Sequence, residues 1–165
     1  QNLAVRHPGR VARLVLCCTS PGGAGGSSYP LHSLAEMEPE ARARHMIGVS
    51  DRRRDAAWQA AHPEQVEALV RMAVDDPWAS EPRRRLGAAL QLQARAGHDV
   101  WDALPQLTMP TLICAGRYDD LAPPSAQEAL AGRIPGAQLR WYEGGHLFLL
   151  EDRAAFADII AFLED

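Results

Sequence analysis

Two polar clusters in the 165-residue sequence carry the residue types needed for proton transfer. One is Gly116-Arg117-Tyr118-Asp119-Asp120-Leu121-Ala122-Pro123; the other is Glu143-Gly144-Gly145-His146. A carboxylate set against an imidazole fixes the ring's tautomer and leaves its second nitrogen free to take a proton, which is the work of a general base. His146 is the candidate base, and Asp119 or Asp120 is the candidate acid. The bland alternatives are a solvated turn histidine and an aspartate that caps a helix or holds its loop.

What brings such residues together is the pattern around them. Pro110 to Gly116 is an apolar run of strand length that opens on a proline, as a first strand residue can. Ala137 to Tyr142 alternates apolar and polar residues, and a helical stretch from about Pro124 to Arg133 lies between the two. In a right-handed βαβ unit both strands run the same way, so both clusters emerge on one edge of the sheet. Neighbouring strands lie ~4.8 Å apart, close enough for short loops to join an Asp to a His. Active sites favour that carboxyl-end edge.

Upstream, Gln1 to His7 has the polar tail of a helix end, stopped by Pro8-Gly9. Val11 to Cys18 is nearly unbroken apolar sequence, suited to a parallel strand covered on both faces. Thr19 to Pro30 is rich in Gly, Ser and Pro and predicts a loop. From Leu31 to about Gly97 no strand signal appears, and prolines cut the segment into short helices. Pro63 to Val74 places Val66, Leu69, Val70, Ala73 and Val74 at helical spacing; Glu81 to Ala96 does the same with Leu86, Ala89, Leu90 and Gln93. Arg153 to Glu164 predicts a closing helix with Phe156, Ile159, Ile160 and Leu163 on one face. This order predicts a parallel α/β sheet of three strands, interrupted by a helical insert long enough to pack as a lid.

Composition narrows the function classes. Seventeen basic residues, all of them Arg, stand against 21 acidic ones for a net charge of −4, which argues against nucleic acid or an anionic membrane as the partner. No apolar run approaches the ~20 residues of a bilayer span, so a cytoplasmic protein without a membrane partner is expected. Cys17, Cys18 and Cys114 are an odd set in apolar runs, expected to be reduced, and alternation should send Cys17 and Cys18 to opposite faces. His98-Asp99 could be half a metal site, but no His-x₃-His or Cys-x₂-Cys spacing completes it; Asp99 is expected as a helix N-cap, and no metal or cofactor is expected. Arg52 to Arg54 and Arg83 to Arg85 read as solvated helix faces with ion pairs. Trp58, Trp78, Met37, Met46 and Met72 are candidates to line a pocket for a small-molecule substrate.

The stretches P-T-L-I-C-A-G-R-Y-D-D-L-A-P-P (Pro110 to Pro124), I-P-G-A-Q-L (Ile134 to Leu139) and G-G-H-L-F-L (Gly144 to Leu149) resemble the C-terminal half of the α/β-hydrolase superfamily. The opening A-V-R-H-P-G-R-V-A-R-L-V-L is similar to the helix and strand that follow the nucleophile elbow in that family. The resemblance covers essentially the whole chain. It implies an incomplete α/β-hydrolase sheet: core segment 1–29, helical cap 30–98, core segment 99–165. It also implies Asp119 as triad acid and His146 as base.

One family feature is absent: the chain has no G-x-S-x-G. Ser27, Ser28 and Ser50 each have a glycine two residues before them and none two after. The nucleophile and oxyanion groups are therefore expected before Gln1, in an N-terminal half that the chain needs as partner. Alone, the chain should be catalytically silent and marginally stable, and its exposed sheet could pair with a second copy. The activity implied is cofactor-independent serine hydrolysis of an ester, lactone or related carbonyl substrate. The alternatives are a perhydrolase, a carbon–carbon hydrolase or an acyltransferase on the same scaffold, and a non-catalytic binding or scaffold protein.

Overall fold

A computed structural model describes residues 1–79 and 81–164. Helix α1 (Asn2–Arg6) leads into strand β1 (Leu14–Cys17); helices α2 (Pro39–Ser50), α3 (Ala56–Ala61), α4 (Pro63–Val74) and α5 (Pro82–Ala96) follow. Strand β2 (Thr111–Gly116), helix α6 (Pro124–Arg133), strand β3 (Gln138–Tyr142) and helices α7 (Phe148–Glu151) and α8 (Ala154–Glu164) complete it. Prolines open α2, α4, α5 and α6, where a missing N–H is harmless. The Glu81 carboxylate caps α5 by accepting from Arg83 N and Arg84 N.

The three strands pair in parallel in the order β1-β2-β3. Every residue of β2 is buried. Its side chains alternate between two layers. Ile113 packs with Leu16, Leu104, Leu107, Leu130 and Ile134 on one face. Leu112 and Cys114 pack with Tyr142, Phe148, Ala155 and Phe162 on the other. A separate cluster of Ile47, Val66 and Val70, with Trp58 beside it, holds α2, α3 and α4 together. Among the described residues no strand lies between β1 and β2, and no helix is long and apolar enough to cross a membrane.

Several expectations shift. β1 is shorter than the apolar run, because pairing begins where Leu14 N donates to Pro110 O and the preceding residues have no partner strand. Cys17 stands opposite Cys114 in the register. Cys18 then leaves the strand with φ +46, so alternation stops and both Cys17 and Cys18 border the same apolar cluster. All three cysteines are free. On α8 the buried residues are Ala155 and Phe162, while Phe156, Ile160 and Leu163 are about half exposed. Of the expected stripe only Ile159 packs on the core; α8 is apolar nearly all round, which leaves the choice of face to its neighbours. On α5 no residue is buried, and Leu86 and Leu90 face outward.

Burial predicts unequal mutational costs. Ile113→Ala should lower the unfolding free energy by about 2–5 kcal/mol, as cavity-forming substitutions do. Leu90→Ala on the exposed face should change it by less than about 0.5 kcal/mol. Urea titrations followed by circular dichroism compare the two.

Candidate active site

The register sets Gly116, the last residue of β2, against Tyr142, the last of β3, so the loops after them leave the sheet side by side. Gly116 is required there: a Cβ would lie 2.1 Å from Gly145 O and 2.7 Å from Gly144 O. With only hydrogen in the way, Arg117 N donates to Tyr142 O at 3.1 Å and Tyr118 N to Gly144 O at 3.0 Å.

Asp119 is 1% exposed. Its Oδ1 accepts from Leu121 N at 2.7 Å and Ala122 N at 2.9 Å, a turn that aims the carboxylate. Its Oδ2 lies 2.9 Å from His146 Nδ1. A carboxylate oxygen accepts, so Nδ1 is the donor, and in the neutral ring Nε2 then carries the lone pair. Asp120 neither caps α6 nor meets His146; it pairs with Arg52 at 3.5 Å. The structure thus brings together the two residues the sequence singled out.

The turn after α2 holds both loops in place. Asp120 N donates to Val49 O at 3.2 Å, His146 N to Ser50 O at 2.7 Å and Arg52 N to Tyr118 O at 2.9 Å. Gly145 passes so close that a Cβ would lie 2.2 Å from Ser50 O. The Asp51 carboxylate, itself buried, accepts from Arg53 N at 3.0 Å and from Arg53 Nη2 at 2.5 Å. Arg53 and Arg54 reach on to Glu151 at 3.3 and 2.9 Å, and Glu151 Oε2 accepts from Gly145 N at 2.9 Å. Arg52 to Arg54 are therefore not a solvated helix face. They occupy a turn and tie the helical segment to the loop bearing His146. Sequence offered no signal for this, since Glu151 is 97 residues from Arg54. In the other run, Arg84 pairs with Asp76, as a solvated helix face allows.

Cys18 is the neighbour that sequence missed. Its Sγ donates to His146 O at 3.2 Å. Burial, reinforced by the negative charge of Asp119, pushes its pKa well above that of an ordinary thiol and favours the neutral form. A cavity of about 460 Å³ opens beside it, lined among others by Ser20, Ser27, Ser28, Arg95 and His98. None of Trp58, Trp78, Met37, Met46 and Met72 lines that cavity. Trp58 stacks on His62, whereas Trp78 and Met72 are exposed. His98 meets Asn2 and the Ser20 carbonyl. Asp99 accepts from Trp101 N at 3.0 Å, but the helical turn is capped at Val100, one residue later than expected.

Residues 1–153 match the family model described as serine aminopeptidase, S33. The chain belongs to this family. Among its relatives, the S33 chain is 30% identical to a poly(3-hydroxyalkanoate) depolymerase of Ectopseudomonas oleovorans, over 97% of its own length and 54% of the relative's. Among solved structures it is similar to the enol-lactonase of Burkholderia xenovorans LB400, with a TM-score of 0.72 and 24% identity, covering 99% of this chain and 60% of that one. A hydrolase of Pseudomonas aeruginosa gives a TM-score of 0.72 and 26% identity, covering 99% and 59%. The fold is that of the α/β-hydrolases, present as a partial, unclosed sheet. The family and these neighbours are hydrolytic enzymes. The chain spans 54% of the depolymerase and 60% of the enol-lactonase.

The clamp on the His146 loop has a pH signature. Burial of Asp51 favours its neutral form, but the hydrogen bonds and charge of Arg53 outweigh this and hold the carboxyl below its ordinary value. A group depressed by folding stabilises above its unfolded pKa and loses that contribution as pH falls through the folded one. The stability advantage of wild type over Asp51→Asn should therefore be full at neutral pH and shrink below about pH 4, the ordinary aspartate range. Denaturant midpoints at several pH values measure it.

Proposed function

We propose that this chain supplies the acid–base half of a serine-hydrolase active site, with Asp119 orienting His146 and His146 acting as general base. The observation that carries this reading is the 2.9 Å contact from Oδ2 of a buried Asp119, itself held by two backbone N–H groups, to His146 Nδ1. A carboxylate so fixed stabilises the imidazolium that forms when Nε2 takes a proton.

The reaction we assign is hydrolysis of an ester, lactone or related carbonyl compound without a cofactor. Nε2 removes the proton of a serine hydroxyl as its oxygen attacks the carbonyl carbon. The imidazolium then protonates the departing alkoxide. A water activated by the same nitrogen releases the acid and restores the serine. The absence of G-x-S-x-G supports placing that serine on polypeptide preceding Gln1. Residues 30–98 are assigned as the cap. Two features support this: the Val49–Arg54 turn contacts both site loops, and Arg95 of α5 lines the cavity.

The test is hydrolysis of an activated ester by the chain alone and with the upstream segment carrying the serine. The chain alone should be inactive and the completed protein active. In the active protein, His146→Ala and Asp119→Asn should each lower kcat by about 10⁴-fold or more with little change in KM. A loss below about tenfold for His146→Ala would exclude it as base. Robust activity from the chain alone would instead implicate Ser20, Ser27 or Ser28, which line the cavity.

A further inference from the structure

Three strands deliver three metal-ligating side chains to one point. Cys18 follows β1, Asp119 follows β2 and His146 follows β3, and one ligand atom from each lies within 4.8 Å of the other two. Cys18 reaches this position because its backbone turns out of the strand with φ +46. A strand continuing in alternation would carry the next side chain to the opposite face. Among the described residues, no other trio of His, Cys, Asp and Glu converges in this way.

We propose that Cys18, Asp119 and His146 form a capture site for a thiophilic divalent cation of the zinc class. Around one tetrahedral zinc ion, sulfur, nitrogen and oxygen ligands stand about 3.3–3.6 Å from one another, given the usual bond lengths. The ligand atoms of the trio, within 4.8 Å of one another, lie near that spacing. The ligand types also suit the metal. Thiolate and imidazole select zinc over magnesium or calcium, and one thiolate with one carboxylate neutralises the dication. Binding transfers the Cys18 thiol proton to solvent, because a coordinating thiol is deprotonated outright. No bond is oxidised or reduced. A fourth position stays open to water.

The site does not depend on the hydrolytic reading, but its consequence does. A cation on these residues takes both His146 and Asp119 out of proton transfer, so zinc would act as a reversible inhibitor. None of this follows from sequence spacing, since the ligands are at positions 18, 119 and 146 with no local motif.

Cobalt(II) tests the site spectroscopically, because a thiolate ligand gives it a charge-transfer band in the near ultraviolet. Co²⁺ added to the folded chain should raise this band to saturation at about one equivalent, and Zn²⁺ should abolish it. Cys18→Ser should lose the band, and both Cys18→Ser and His146→Gln should weaken Zn²⁺ binding by about tenfold or more in competition with a chromophoric chelator. Cys17→Ser should change neither. On the unaltered protein, calorimetric titration with Zn²⁺ should show about one equivalent bound, which reads the site even if a variant fails to fold. Absence of the band, its survival in Cys18→Ser, or no Zn²⁺ binding to the unaltered protein would overturn the proposal. In the protein completed with its upstream segment, a band without loss of ester hydrolysis upholds the metal site and counts against His146 as base; inhibition without the band counts against the metal site.

Discussion

Parallel pairing leaves β2 and β3 level at their carboxyl ends, Gly116 opposite Tyr142, and the site loops meet only because nothing larger than hydrogen stands at Gly116. From that close approach follow the hydrogen bonds from Arg117 N and Tyr118 N to the neighbouring loop. The contact between Asp119 and His146 rests on them. A backbone-to-backbone constraint of this kind is stiff: main-chain atoms cannot rotate out of the way as a side chain can. Two flexible polar side chains are thereby held at hydrogen-bond distance without an ordering cost at the moment they are used.

The second support is electrostatic and long-range. Asp51, Arg53, Arg54 and Glu151 form a chain of charges that ends on Gly145 N, beside His146. Isolated surface ion pairs contribute little to stability. Here the buried Asp51 carboxylate is paired with Arg53, so removing Arg53 strips a buried charge of its main partner. The network couples the helical segment between β1 and β2 to the loop carrying the imidazole. It also explains an arginine run that composition alone suggests is mere solubilising surface.

Apolar surface is unevenly covered. β2 is sealed on both faces, whereas β1 lies at the sheet edge and α5 and α8 turn Leu86, Leu90, Phe156, Ile160 and Leu163 outward. Stability should accordingly be concentrated around β2.

Local sequence determined a good deal. Proline at first helical positions, the alternation in Gln138 to Tyr142 and the apolar run ending at Gly116 act within a few residues, so the order of strands and helices was legible. With parallel strands joined by one helix, the meeting of Asp119 with His146 follows from topology. The remainder depended on partners far away in the chain. Cys18 was expected on the opposite face from Cys17, and only the left-handed backbone at that residue turns its thiol to the site. Which stripe of α8 is buried was settled by the apolar neighbours of Phe162, because the helix itself is apolar nearly all round. Arg53 and Arg54 found Glu151, and Gly145 found Ser50, through packing of segments that no local pattern links. Periodicity reports on each element's own faces; which face meets which, and which charges then become neighbours, is decided when the elements pack.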